Sequence, residues 1–239
     1  PNEAVIRALV SLDLHEQALN EVRYAQEATG NSPALDATVA LIRNRRGLTT
    51  EKGSDRFNDV RGAITIMRRA YPQFLAAGGE QLPPDVLRVI FPLDYWPLIR
   101  KYSALHELDP FLMMALIAQE SSFTADVRSS ANAVGLMQLT APTACALARK
   151  VGIRYSARLL TQPEANIRMG MKYFKDMTDQ FGGAYYALAG YNAGPRRVVK
   201  WKAERQGFAQ DEFIDDIPFP ETQNYVKRIL GTAEDYRRL

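Results

Sequence analysis

Apolar residues recur at three- and four-residue intervals through nearly the whole of this chain, and no alternating run is long enough to make a convincing strand. That period constrains the fold to helices packed by their apolar faces, and an all-α class is expected. Residues 3–29 and 33–47 read as consecutive helices, and the stretch RALVSLDLHEQALNEVRYA has the small and large apolar spacing of helix-hairpin repeats. Asn58 to Tyr71 adds a further amphipathic helix, and Gly78, Gly79, Pro83 and Pro84 mark a boundary. Residues 1–85 are therefore read as a helical extension or linker, and residues 86–239 as a second domain.

Beyond the boundary the helix signals sharpen. Asp109 and Pro110 fit an N-cap followed by proline in the first turn. Thr161 and Glu164 have capping-box spacing, and Ile167, Met171, Phe174 and Phe181 mark a buried face that stops at Gly182 and Gly183. Gly170 lies inside that helix, where close packing is the plausible reason for a residue costing about 1 kcal/mol relative to alanine. Gly194 suits a left-handed helix end, and Pro195 can open the next helix.

One carboxylate breaks the apolar pattern. In ALIAQESSFTADVRSSANAVGLMQLT, from Ala115 to Thr140, Glu120 falls on the same helix face as Met113, Leu116 and Ile117. A carboxyl group there is partly desolvated, and burial raises its pKa, as a general acid working near neutral pH requires. The plainer reading is the last turn of an amphipathic helix meeting solvent. Serines at 121, 122, 129 and 130, with LMQLT after Gly135, supply short polar side chains able to line a cleft beside the acid.

Composition narrows the chemistry. The longest nearly uncharged apolar run, FLMMALIAQ from Phe111, is far shorter than the roughly 20 residues that cross a bilayer, so stable membrane insertion is not expected. The net charge of +3 mildly favours an acidic partner, but the basic residues are scattered and no aromatic and basic stripe asks for nucleic acid. Cys145, the only cysteine, is read as buried packing. With His15 and His106 it cannot supply the usual zinc ligand set, so neither metal nor cofactor is expected. The chain starts at Pro1 with no basic segment or apolar signal core, and a mature form whose targeting segment is not shown is expected.

Taken in order, Glu120-Ser121-Ser122-Phe123, Ser129, Gly135-Leu136-Met137-Gln138 and Tyr191-Asn192-Ala193-Gly194 resemble the soluble lytic transglycosylases, relatives of goose-type lysozyme that cleave peptidoglycan. The resemblance covers residues 86–239. It implies a lysozyme-like catalytic domain, preceded over residues 1–85 by the end of a superhelical, helical-repeat region. It assigns catalysis to Glu120 and substrate binding to Ser129, Gln138, Thr143, Tyr191, Asn192, Glu221 and Tyr225, the last two from IPFPETQNYV. It further implies peptidoglycan glycan strands as partner and a periplasmic or cell-envelope location. The chain departs from the family pattern at Asn132, where glycine is common, at Thr140-Ala141, where Met-Pro is usual, and at Gly190, where alanine is common.

Most glycosidases use two carboxylates, whereas the family motif supplies one. The resemblance implies that Glu120 protonates the oxygen of the β-1,4 bond between N-acetylmuramic acid and N-acetylglucosamine. The C2 acetamido group stabilises the cation, and Glu120 then takes the C6 hydroxyl proton as that oxygen closes onto C1. The product is 1,6-anhydro-N-acetylmuramic acid, and no water is consumed. Two other readings stand beside this one: a hydrolytic muramidase using Asp126, Glu164, Asp176 or Glu221 to activate water, and a non-catalytic glycan-binding helical module.

Overall fold

The computed structural model describes residues 2–50, 53–75, 81–205, 207 and 209–239. Gly78 and Gly79, half of the expected boundary, lie outside the described residues. Among those described, the regular elements are helical, joined only by isolated bridges of Val134 with Arg128 and with Leu139. The chain forms two compact units, residues 1–94 with 122–127, and residues 95–121 with 128–239.

The first unit contains α1 (Glu3–Ser11), α2 (His15–Thr29), α3 (Pro33–Thr49), α4 (Gly53–Ala70) and α5 (Pro84–Ile90). The continuous helix expected over residues 3–29 is broken at Leu12–Leu14, where Asp13 takes φ 57°, a left-handed value that a short polar side chain tolerates better than most. Ile6, Ala18, Val22 and Ile42 close a small core across α1 to α3. Ser32 caps α3 by accepting the Leu35 N–H at 3.2 Å, as a serine before Pro33 should. Asp59 of α4, only 5% exposed, receives both arms of the Arg46 guanidinium of α3 at 2.6 Å. The planar fork matches the carboxylate and meets the cost of burying its charge. Asp126 sets its carboxylate against Gly53, the first residue of α4, where the helix dipole favours negative charge.

The second unit is built from α6 (Trp96–Leu105), α7 (Pro110–Ser121), α8 (Ala141–Lys150), α9 (Pro163–Phe181), α10 (Ala184–Ala193), α11 (Pro195–Glu204), α12 (Gln210–Asp215) and α13 (Pro220–Arg238). Asp109 Oδ1 accepts the Phe111 N–H at 2.9 Å, so the expected cap of α7 forms. From Leu112 to Ile117 every residue of α7 is buried, which makes it a central helix rather than an amphipathic one. α7 packs against α6 and α13, and α10 packs against α9, α11 and α13. Gly182, at φ 77°, ends α9 in the left-handed conformation, and Gly194, at φ 90°, ends α10 just before Pro195.

Two local expectations fail. The capping box of α9 does not form: Gln162 is the N-cap, Thr161 donates to Arg158 O, and Glu164 instead accepts from Lys101 Nζ and the Tyr102 hydroxyl, each at 2.8 Å. A cation and a phenol from α6 outcompete the local backbone for that carboxylate. Cys145 is exposed, not buried. Ala144, Leu147 and Ala148 take the inward face of α8, and a residue following Ala144 by 100° of helical rotation is carried away from it.

Candidate active site

Glu120 occupies the last turn of α7 and is half-buried. The helix ends one residue later, at Ser121, because Ser122 and Phe123 adopt φ 45° and 59°, values that cannot continue a right-handed helix. Glu120 Oε1 accepts a hydrogen bond from the Tyr225 hydroxyl, 105 residues away in sequence and one turn beyond Glu221 in α13. Tyr225 is 6% exposed. Burial, then the Glu120 charge, pushes its phenol well above the ordinary 10.0, so near neutral pH it keeps the proton it donates.

Tyr191, in α10, belongs to the same cluster. Burial and then the Glu120 charge also hold its phenol well above 10.0, so the carboxylate stands within electrostatic reach. Its proton goes elsewhere, to Met137 O at 2.6 Å. Its ring is wedged against Tyr173 and Phe174 of α9, with centroids 5.5 and 6.3 Å away. The family motif keeps a tyrosine close to the acid at position 191, and the Glu120 charge does act on Tyr191, while the hydroxyl bonded to Glu120 is that of Tyr225.

Gln138 follows Met137 in a tight loop. Val134 and Leu139 exchange backbone hydrogen bonds at 3.0 and 3.1 Å, and Gln138, at φ 46°, donates from its backbone and its side-chain Nε2 to Gly135 O at 3.1 and 2.9 Å. Asn192 Oδ1 accepts from Thr222 Oγ1 at 2.7 Å, tying the end of α10 to the first turn of α13, where Glu221 is exposed. Ser129 and Thr143 bond within their own segments: Ser129 Oγ accepts the Ala133 N–H at 3.1 Å, and Thr143 Oγ1 shares a hydrogen with Thr140 Oγ1 at 3.0 Å. Neither of these bonds reaches Glu120. Asn132 has φ 60°, the left-handed geometry for which glycine is common in the family pattern.

Sequence reasoning overlooked Asn166. Its side chain is fully buried beneath the Gly135–Gln138 loop, accepting the Met137 N–H at 2.8 Å and donating to Val134 O and Leu160 O at 3.0 and 2.8 Å. The available signal was an amide on the apolar face of α9, one turn before Gly170. Of the carboxylates weighed as water activators, Glu164 is held by Lys101 and Tyr102, and Asp176 pairs with Lys150 at 2.7 Å and with Lys172. The Lys101 ammonium, beside the Tyr102 hydroxyl, holds Glu164 below the usual carboxylate range.

Residues 97–214 match the family model described as the Transglycosylase SLT domain. The chain is 37% identical over 157 residues to the soluble lytic murein transglycosylase of Escherichia coli strain K12, covering 64% of this chain and 24% of that protein. It is 40% identical over 137 residues to the membrane-bound lytic murein transglycosylase F of Vibrio cholerae, covering 52% and 23%. Among solved structures, the 70 kDa soluble lytic transglycosylase of Escherichia coli superposes with TM-score 0.67 at 30% identity, covering 100% of this chain and 35% of that one. An inactive variant of the lytic transglycosylase Slt from Pseudomonas aeruginosa superposes with TM-score 0.62 at 25% identity, covering 98% and 50%. The chain thus spans about a quarter of the length of the curated relatives it matches. The fold class is all-α and lysozyme-like. The ordered motifs around Glu120, Gln138 and Tyr191 all lie within residues 97–214, the segment through which this chain carries the Transglycosylase SLT domain and resembles the soluble lytic transglycosylases.

Proposed function

We propose that this protein is a peptidoglycan lytic transglycosylase in the periplasm or cell envelope. It cleaves the β-1,4 bond between N-acetylmuramic acid and N-acetylglucosamine and leaves a 1,6-anhydro-muramoyl end. The observation that carries the reading is the half-buried Glu120 carboxyl held by the Tyr225 hydroxyl at the end of a buried helix. The names of the relatives support the same activity, and so does the Pseudomonas structure, an inactive variant in which a glutamate is replaced by glutamine. A 70 kDa soluble lytic transglycosylase solved as a complex with bulgecin A shares this fold.

Glu120 gives its proton to the glycosidic oxygen as the C1–O bond breaks. As a carboxylate it then removes the C6 hydroxyl proton while that oxygen bonds to C1, which restores the acid. Because the nucleophile is tethered in the substrate, the step has the effective-concentration advantage of an intramolecular reaction. Ser129, Gln138, Thr143, Tyr191, Asn192, Glu221 and Tyr225 are the proposed substrate-binding set, within a catalytic domain proposed over residues 86–239. Residues 1–85 are proposed as the end of a superhelical region that guides long glycan strands.

Product analysis after digestion of purified sacculi tests the activity. The muramoyl product is expected to be lighter by one water than a reducing muramoyl end and to carry no oxygen from labelled water. Reducing ends with solvent oxygen would replace this reading with the hydrolytic one.

The Tyr225 bond has its own consequence for pH. Donation to Glu120 favours the charged carboxylate, so Tyr225→Phe should raise the Glu120 pKa. A hydrogen bond to a charged group contributes about 1.5–3 kcal/mol, so the basic limb of the kcat/KM profile should move up by about one to two pH units. An unchanged limb would mean that the bond does not bear on the reacting proton. Neither phenol accounts for a limb below pH 10, since both titrate well above 10.0.

A further inference from the structure

The Gly135–Gln138 loop is keyed into one face of α9. Asn166 and Gly170 stand one turn apart on that face, and each receives a different part of Met137. Asn166 takes its N–H at 2.8 Å, while the methionine side chain fills the space over Gly170, where an added Cβ would sit 2.4 Å from Sδ and 2.7 Å from Cβ. The buried amide has a single productive orientation. Its oxygen faces the Met137 N–H and its nitrogen faces the carbonyl oxygens of Val134 and Leu160, so a flip would set donor against donor and acceptor against acceptor. The carbonyl of the same Met137 then accepts the Tyr191 hydroxyl at 2.6 Å. An unbroken path runs from Asn166 through one residue's N–H and C=O to a phenol within electrostatic reach of Glu120.

We propose that Asn166 is a positioning residue for the reaction: by anchoring Met137 it sets the acceptor that orients the Tyr191 hydroxyl, and it fixes the adjacent Gln138. The assignment rests on the transglycosylase reading. Asn166 touches no substrate, and its effect passes through Tyr191.

A mutant cycle tests this, because residues acting through one another are not additive. Asn166→Ala should lower kcat about 10- to 100-fold with KM little changed, the scale on which small misplacements act. In a Tyr191→Phe background the same change should cost little more. Without substrate, hydrogen exchange at the Met137 amide should speed up in Asn166→Ala and stay slow in Tyr191→Phe. If Asn166→Ala does not fold, Asn166→Asp serves instead. As a neutral acid it still accepts from Met137 and donates once, so Met137 protection and kcat should recover as pH falls. Equal losses in both backgrounds, or unaltered Met137 protection, would overturn the proposal while the anhydro product still stood. Reducing ends from the wild-type protein would overturn the activity reading, and Met137 exchange would then decide the anchoring by itself.

Discussion

Glu120→Gln is expected to reduce peptidoglycan turnover by about 10³-fold or more while leaving a folded protein, since positioned acid and base groups contribute about 10²–10⁴-fold each. One carboxyl is asked to do both jobs here, first giving a proton to the leaving oxygen and then removing one from the C6 hydroxyl. Glutamine has the same shape and can do neither. The fold should tolerate it, because the side chain is half-buried at a helix end and its amide oxygen can still accept from Tyr225. Exchanging a charged acceptor for a neutral one should shift stability by no more than about 1–2 kcal/mol. Thermal unfolding and turnover on purified sacculi, measured on the same preparation, check both parts. A folded variant that cuts at an undiminished rate would leave the non-catalytic glycan-binding module as the better account.

Gly135→Ala should produce the largest loss of stability of any single methyl added near the site. Gly135 has φ 86°, and a Cβ there would stand 2.1 Å from Leu160 O and 2.3 Å from Asn166 Nδ2. The first neighbour is main chain, and the second is an amide whose hydrogen bonds hold the loop, so neither can withdraw cheaply. Backbone strain and overpacking together predict a loss of about 3–5 kcal/mol, with activity falling as the loop shifts. Gly182→Ala is the natural control. Gly182 has φ 77° but nothing within 4 Å of its added carbon, so only the left-handed penalty of about 1–2 kcal/mol applies. Denaturant unfolding of the two variants separates conformation from packing. Equal losses would show that the contact with Leu160 and Asn166 contributes nothing.

Both predictions depend on side chains that converge from remote parts of the chain, and that is where local sequence signals stop. Helical period, the Asp109 cap, the glycine stops at 182 and 194 and the ordered ESSF, GLMQ and YNAG motifs were all legible, because each is written within a few neighbouring residues. Local reading failed at Glu164, where partners from another helix competed, and at Cys145, where the buried face of its own helix was misjudged. Glu164 left its capping box for Lys101 and Tyr102, and Cys145 turned outward once Ala144, Leu147 and Ala148 had set the buried face of α8.

The sequence by itself determined an all-helical chain, a carboxylate on the inward line of one helix, and a motif set pointing to a family. Only the tertiary structure decided which tyrosine donates to Glu120, and that an asparagine under the GLMQ loop carries the main chain leading to the other. The reason is physical: caps and periodicity act over one or two turns, whereas the Tyr225 bond exists only because α13 packs on α7, joining residues 105 positions apart.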